Sequence, residues 1–530
     1  MTSHHVGETG IELIVNGERV EVVDSSQSLL EVLREQLHIY SAKDGCSPQG
    51  QCGCCTVLVD GKPRVACVTP VRRLNGRKVT TLDGLDAERR AAWAEAFTQC
   101  GAAQCGFCTP GIIVRLDSTH AAGGTKDKLA NALAAHQCRC TGWQTIGEAW
   151  DVFCESTSPK SPQPSAAKPE RDLVAAERRA TIEGHAPQQV GAHVALGQAQ
   201  FAADNAPPDA LIAVPVAGGE WAVGETLGEA RRLAVKVQGR RTTATPHYPV
   251  EIPDGDWKAT LRTTWVDAAY LEPDASWCNP GGEPASPGGN GGAFGAKHQS
   301  IAPAAAQRLA NQYQRPVLAL AGREDITRHA PKRPPVAGGV DASGRGVLRV
   351  LDGPDLDVLK TNIALVAPGI EVVAVPAPGP IVSSSVRAAG WAEAVALQAG
   401  ANGEVGVVRS PAGSRAEAEI TPDGIIRVSV SCGAVLDATV LRSYCIGAAH
   451  MAWSWLTSEQ LTVDADGNVL DLTMRSFGVL KASDTPQVEV ELDHDACGEP
   501  TNGSDAVFAA VAAVGWLSLG CPPQWPTKLR

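Results

Sequence analysis

Nine cysteines within the first 140 residues fall into two metal-cluster patterns, and no other feature constrains the chain as tightly. The first reads Cys46-Ser-Pro-Gln-Gly-Gln-Cys52-Gly-Cys54-Cys55, followed by Cys67. The second reads Cys105-Gly-Phe-Cys108, followed by Cys138-Arg-Cys140. Each pattern offers four thiolates, the complement of a [2Fe–2S] cluster. Two such clusters in one short segment make an electron wire, and a wire implies a redox enzyme or a subunit of one. Gly45, Gly50 and Gly53 sit where a tight loop must aim backbone amides at sulfur, since glycine tolerates φ > 0 and close approach. For Cys-x2-Cys with Cys-x-Cys alone, structural zinc stays open as the alternative. Cys54 and Cys100 lie beside the loops, while Cys154, Cys278, Cys432, Cys445 and Cys521 read as buried thiols.

The remaining composition narrows the setting. A length of 530 residues predicts three or four domains. The net charge of -12 argues against nucleic acid and anionic membranes, both of which need a basic surface. Met1 to Gly10 lacks the apolar stretch of a signal peptide, and His4-His5 reads as a disordered tail. The longest apolar segment, Ala506 to Leu519, is interrupted by Gly515 and Ser518 and reads as a buried helix rather than a membrane span. Clustered rather than dispersed cysteines argue against a secreted disulfide scaffold. The expectation is a cytoplasmic protein.

Along the chain, two β-rich runs in 11–24 flank Asn16-Gly17, a type I′ hairpin signal. Ser25 to Ser28 can cap a helix over Leu29 to Leu37. The first cysteine loop and a strand over Thr56 to Val59, turning at Asp60-Gly61, complete a β-grasp ferredoxin order over 1–84. Residues 85–155 read as a helical domain, with helices over Ala87 to Thr98, Lys128 to His136 and Thr145 to Cys154 around the second cysteine set. The proline-rich stretch 156–171 reads as a stiff, solvated linker. Residues 172–530 mix strand-like runs (Ile425 to Cys432) with helical ones (Ile301 to Tyr313, Ala506 to Trp516). They predict a large α/β region, divided near 172–410 and 411–530. The fold class is therefore α/β multidomain (α+β). Gly288-Gly-Asn-Gly-Gly-Ala-Phe-Gly295 matches neither a Rossmann fingerprint nor a P-loop.

At Gln104-Cys-Gly-Phe-Cys-Thr-Pro-Gly111 and Cys138-Arg-Cys-Thr-Gly142 the chain resembles the molybdenum hydroxylase family, which includes xanthine dehydrogenase, aldehyde oxidoreductase and carbon monoxide dehydrogenase. Residues 1–155 resemble its iron–sulfur subunit nearly throughout. The resemblance implies that Cys46, Cys52, Cys55 and Cys67 hold a plant-ferredoxin-like cluster. It implies that Cys105, Cys108, Cys138 and Cys140 hold the cluster nearer molybdenum, with Gln104 and Cys140 against the pterin. One departure is that five residues separate Cys46 from Cys52 where the family pattern has four, so the loop is expected to bulge, with Cys54 a competing ligand.

Residues 172–530 resemble the family's molybdopterin subunit in pieces. These are Val194 to Asp204, Leu271-Glu-Pro273, Gly291-Gly-Ala-Phe-Gly-Ala-Lys297, Val386-Arg-Ala-Ala-Gly390 and Cys497-Gly-Glu-Pro500. Carried over, Gly292, Phe294 and Gly295 would contact the pterin, Arg387 would sit near the metal and Glu499 would be the general base. The region is far shorter than the family's catalytic subunit and lacks its Gly-Gln-Gly loop. The resemblance implies an iron–sulfur electron-transfer chain or subunit of a molybdenum-dependent hydroxylase. Electrons from a molybdopterin site would reach a flavin subunit or another acceptor through two [2Fe–2S] clusters, with the C-terminal region as scaffold. Its partners would be a flavin-binding subunit and a full-length molybdopterin catalytic subunit. The alternative is a self-sufficient molybdopterin enzyme hydroxylating an aldehyde or N-heterocycle with Glu499 as base.

Overall fold

The computed structural model describes residues 10–24, 26–157, 171–236 and 239–528. The histidine tail, Ser25 and most of the linker reading lie outside them. Strands Ile11–Val15 and Glu18–Val22 pair antiparallel around Asn16 and Gly17, whose φ values of 51° and 93° are those a type I′ turn demands. Strand Lys78–Thr80 lies between Ile11–Val15, to which it is parallel, and Thr56–Val59, and Lys62–Val65 closes the far edge. Ser28 starts the helix with a reciprocal capping box to Glu31. The first helical turn, Leu29–Glu31, widens into a π-type turn over Val32–Gln36. The cluster loop occupies the span between that helix and Thr56–Val59.

The helical part contains Ala87–Cys100, Thr109–Ala121 and Gln144–Ser156, held by a stacked Trp93–Phe153 pair with ring centroids 3.6 Å apart. The helix expected over Lys128 to His136 is shorter, only Leu129–Ala132. The chain leaves helical geometry there because the Gln137 amide donates to the Cys52 carbonyl at 2.9 Å, which draws the second cysteine segment onto the first. Gly111 completes the junction. A Cβ there would collide with the carbonyl oxygens of Gly53 and Cys54, so the two cluster loops touch backbone to backbone. Gly53, at φ 74°, has the His136 ring 2.5 Å from where its own Cβ would stand.

The rest forms three sheets. One orders Trp221–Gly224, Leu211–Pro215, Val317–Ala321 and Asp274–Cys278. A second orders Ile370–Val375, Gly346–Leu351, Val336–Val340, Ala259–Thr263 and Gln524–Trp525. The third orders Val408–Arg409, Arg415–Ile420, Ile426–Ser431 and Val488–Leu492. The Gln524–Trp525 strand joins Ala259–Thr263, so segments on both sides of residue 410 share a sheet.

Helices Trp391–Asn402, Ala438–Thr457 and Ser504–Ser518 pack between these sheets. Ser504–Ser518 is buried nearly all round, as a helix without a polar face must be. No helix among the described residues is long and apolar enough to cross a membrane.

Buried polar pairs fasten the cysteine-bearing part to this body. Arg139 forks onto Glu459 at 2.5 and 2.8 Å. Gln144 exchanges hydrogen bonds with the Val488 backbone at 3.0 and 2.9 Å. Asp204 receives both Arg34, at 2.6 Å, and the fully buried Lys43.

Candidate metal centres

Cys46, Cys52, Cys55 and Cys67 are all buried. The Cys46 sulfur is in hydrogen-bonding contact with those of Cys52 and Cys67, and Cys67 in turn reaches Cys55. Hydrogen bonds from Cys52 and Cys67 hold the Cys46 thiol well below the usual range, while the donors Cys52 and Cys67 are held above it. Backbone amides add to this, Gln51 donating to Cys46 Sγ and Cys67 to Cys55 Sγ, both at 3.4 Å. A Cβ on Gly45 would stand 3.2 Å from both Cys52 and Cys54 sulfurs, so only glycine leaves that side of the sulfur cradle open.

Ser47, in the loop between Cys46 and Cys52, adopts φ 45°. Asp44 pins it there, accepting from the Ser47 amide at 3.1 Å and its hydroxyl at 3.0 Å. Cys54 is buried against Cys52 on the side facing the second set.

In the second set the sulfurs come together in two pairs. Cys105 and Cys140 lie 3.6 Å apart, and Cys108 is in contact with Cys138. The hydrogen bond from Cys108 draws the Cys138 thiol down to about 6, against the opposing effect of burial, and Thr141 Oγ1 lies 3.1 Å from the same sulfur. Paired sulfurs suit a binuclear cluster, in which each iron takes two thiolates. Thus both sets offer the four thiolates of a [2Fe–2S] cluster, the first fully buried and the second with Cys105 and Cys140 half-buried.

The expected pterin contacts do converge. Asn290 Nδ2 donates to the Cys105 carbonyl at 2.8 Å, seating the Gly288–Gly295 loop on the second set. Gln104, Cys140, Gly292 and Phe294 then line one cavity, with Glu272 and Lys297 joined by a buried ion pair of 2.6 Å. Gly295 closes the loop against Ser385, where a Cβ would collide with the carbonyl oxygen. Burial raises Glu272 to about 7 despite Lys297. The cavity holds about 30 Å³, room for one or two waters. Gln104 Nε2 is already used by Ser443 Oγ at 3.0 Å and by the Cys140 carbonyl at 3.2 Å.

Arg387 is buried beside this loop. Its amide donates to the Phe294 carbonyl at 3.0 Å and its guanidinium lies 4.6 Å from the Phe294 ring centroid. Glu499 is not brought to it. That side chain is 83% exposed and pairs with Arg178 at 2.8 Å on the surface.

The carboxylate that does face Arg387 is Asp505, at 3.2 Å, in the first turn of the Ser504–Ser518 helix. His185 Nε2 lies 2.9 Å from its other oxygen. Burial pushes Asp505 up, but His185 and Arg387 outweigh it and hold the carboxyl below the usual range. His185 is raised chiefly by Asp505. Sequence reading passed over Asp505 because the Gly-Glu-Pro motif drew attention six residues upstream; an acidic residue in a helix's first turn was its one local signal.

Comparison with known proteins agrees with the cysteine geometry. A family model described as "[2Fe-2S] binding domain" matches residues 81–151. The nicotine 6-hydroxylase small subunit of Paenarthrobacter nicotinovorans is 38% identical over 142 residues, covering 26% of this chain and 86% of that protein. Aldehyde oxidase 1 of Oryctolagus cuniculus is 36% identical over 159 residues, 27% of this chain, and the match spans only 12% of that relative's length. An aldehyde oxidoreductase structure from Desulfovibrio desulfuricans shares the fold, with a TM-score of 0.70 at 14% identity over 95% of this chain and 97% of that one. Small-subunit-like cysteine loops, continuing into a body of aldehyde oxidoreductase fold, show that the chain belongs to the molybdenum hydroxylase family of oxidoreductases.

Proposed function

We propose that this chain is an electron-transfer subunit of a molybdenum-dependent hydroxylase, with residues 172–530 acting as a scaffold. The observation that carries this reading is the contact of two complete thiolate sets through Gly111 and the Gly53–Cys54 backbone. Cys46, Cys52, Cys55 and Cys67 would hold one [2Fe–2S] cluster, and Cys105, Cys108, Cys138 and Cys140 the other. When bound, such clusters supply single-electron transfer, between a molybdopterin site and a flavin subunit or other acceptor in this reading.

The protein's own part is to bury the sulfurs, donate amide hydrogen bonds to them and hold the two loops in register. Arg139–Glu459 and Gln104–Ser443 fix the second loop to the C-terminal body. The pterin would belong to a separate catalytic chain that acts on a small molecule. The self-sufficient alternative is disfavoured by Glu499, which faces solvent, and by Arg387, whose charge is closed by Asp505.

Metal analysis and EPR of the anaerobically purified chain test the proposal. About four iron atoms per chain and two distinct reduced [2Fe–2S] signals, without molybdenum, are expected. Stoichiometric molybdenum in the chain expressed alone would overturn the scaffold role. Absence of iron would overturn the electron-transfer role.

A further inference from the structure

A second, larger cavity borders the first cysteine set. It holds about 190 Å³ between the Leu29–Gln36 helical segment, the Cys46 loop and the sheet containing Leu318 and Leu320. Cys67, Ser47 and Pro48 form part of its wall, so it opens directly on the proposed cluster. Leu30, Phe107, Pro207, Ile212, Leu227 and Leu320 give it flat apolar sides. Its polar groups are largely paired with one another, Tyr40 with His38 at 3.2 Å among them. Arg34 is tied to Asp204 at 2.6 Å and Arg231 to Asp44 at 3.2 Å, while Tyr40 and Glu35 carry groups that can donate or take up a proton.

We propose that this cavity binds a single-ring quinone and its hydroquinone. This rests on the cluster reading above. Size selects one ring, because a cavity of roughly 150 Å³ takes up benzene whereas three fused flavin rings need far more. Wall chemistry selects a small apolar ring bearing polar atoms, because the apolar side chains are interrupted by Arg34, Arg231 and Tyr40. The position beside Cys67 selects a redox-active ligand. Reduction converts both ring carbonyls to hydroxyls and takes up two electrons and two protons. The cluster that Cys46, Cys52, Cys55 and Cys67 would hold would supply the two electrons one at a time. One proton is available from Glu35 and the other from solvent. Glu35 is suited to this: burial and the nearby Glu31 raise its carboxyl to about 7, against the opposing charges of Arg231 and Arg34, while Asp44 adds to the rise.

The test uses the purified iron-loaded chain, Leu227→Trp and Ala210→Leu. Both substitutions fill the cavity from its rim. Calorimetric titration with 1,4-hydroquinone should show saturable one-site binding to the parent chain and at least tenfold weaker binding to both variants. After dithionite reduction, reoxidation of the cluster absorbance by 1,4-benzoquinone should saturate with concentration and slow at least tenfold in the variants. Reoxidation by ferricyanide, which needs no pocket, should be unchanged.

Non-saturating quinone kinetics with no measurable hydroquinone binding, in protein that carries its iron, would overturn this inference and leave the electron-transfer reading standing. Equal binding of toluene would show that the site reads shape alone and would also overturn it. Protein without iron would remove both readings.

Discussion

Gly447, in the middle of the Ala438–Thr457 helix, lies directly on the carbonyl oxygen of Cys140, so close that any Cβ would collide with it. The same helix presents Ser443 to Gln104. The second cysteine loop is therefore shaped against a helix that begins nearly three hundred residues later. Gly447→Ala must move either the helix or the loop. A loss of about 1–3 kcal/mol is expected from such overpacking, with a changed EPR signal of the second cluster only. Thermal unfolding and EPR of the same preparation check this, and an unperturbed second signal would argue against the contact.

The surplus cysteine separates ligand from neighbour. Cys54→Ser should retain both [2Fe–2S] signals, whereas Cys55→Ser and Cys138→Ser should each abolish one and lower the iron content by about half. Iron analysis with EPR decides it. Loss of the first signal in Cys54→Ser would place Cys54 among the ligands.

The Arg139–Glu459 pair is buried and bidentate, with side-chain exposures of 9% and 1%. Removing one partner strands a buried charge. Glu459→Gln should therefore destabilise the chain by roughly 3–5 kcal/mol, more than an exposed pair such as Arg77–Asp60, worth at most about 1 kcal/mol. Urea unfolding of Glu459→Gln and Asp60→Asn gives the comparison.

Glu35 carries a raised carboxyl, from an ordinary 4.5 to about 7. The folded chain thus holds a proton that the unfolded chain releases between these values. Stability from this group falls as pH rises from 4.5 to 7 and is level above. Glu35→Gln should leave stability nearly unchanged at pH 5 and raise it at pH 8, by on the order of 1–2 kcal/mol after allowance for partial exposure. Melting temperatures at the two pH values test the sign.

Asp505, not Glu499, is the carboxylate tied to the buried arginine. Glu499→Gln should change stability by less than about 0.5 kcal/mol and leave turnover of an assembled complex unchanged. Asp505→Asn should lower the pKa of His185, which the carboxylate raises, and NMR titration of that imidazole reads it directly.

The sequence by itself determined what is local. The Asn16-Gly17 turn, the Ser28 cap, the strand at Thr56–Val59 and the cysteine spacings each depend on residues a few positions apart, so short-range stereochemistry was enough to read them. The family followed from the same motifs. The Lys128–His136 helix failed because a long-range hydrogen bond, Gln137 to Cys52, overrode local propensity. Gly111 on the first loop, Gly447 on Cys140, and Asp505 in place of Glu499 beside Arg387 were decided only by tertiary structure. Each depends on which backbones approach within a few ångströms across tens to hundreds of residues, and on which carboxylate burial leaves facing a charge. Spacing along the chain carries no record of either.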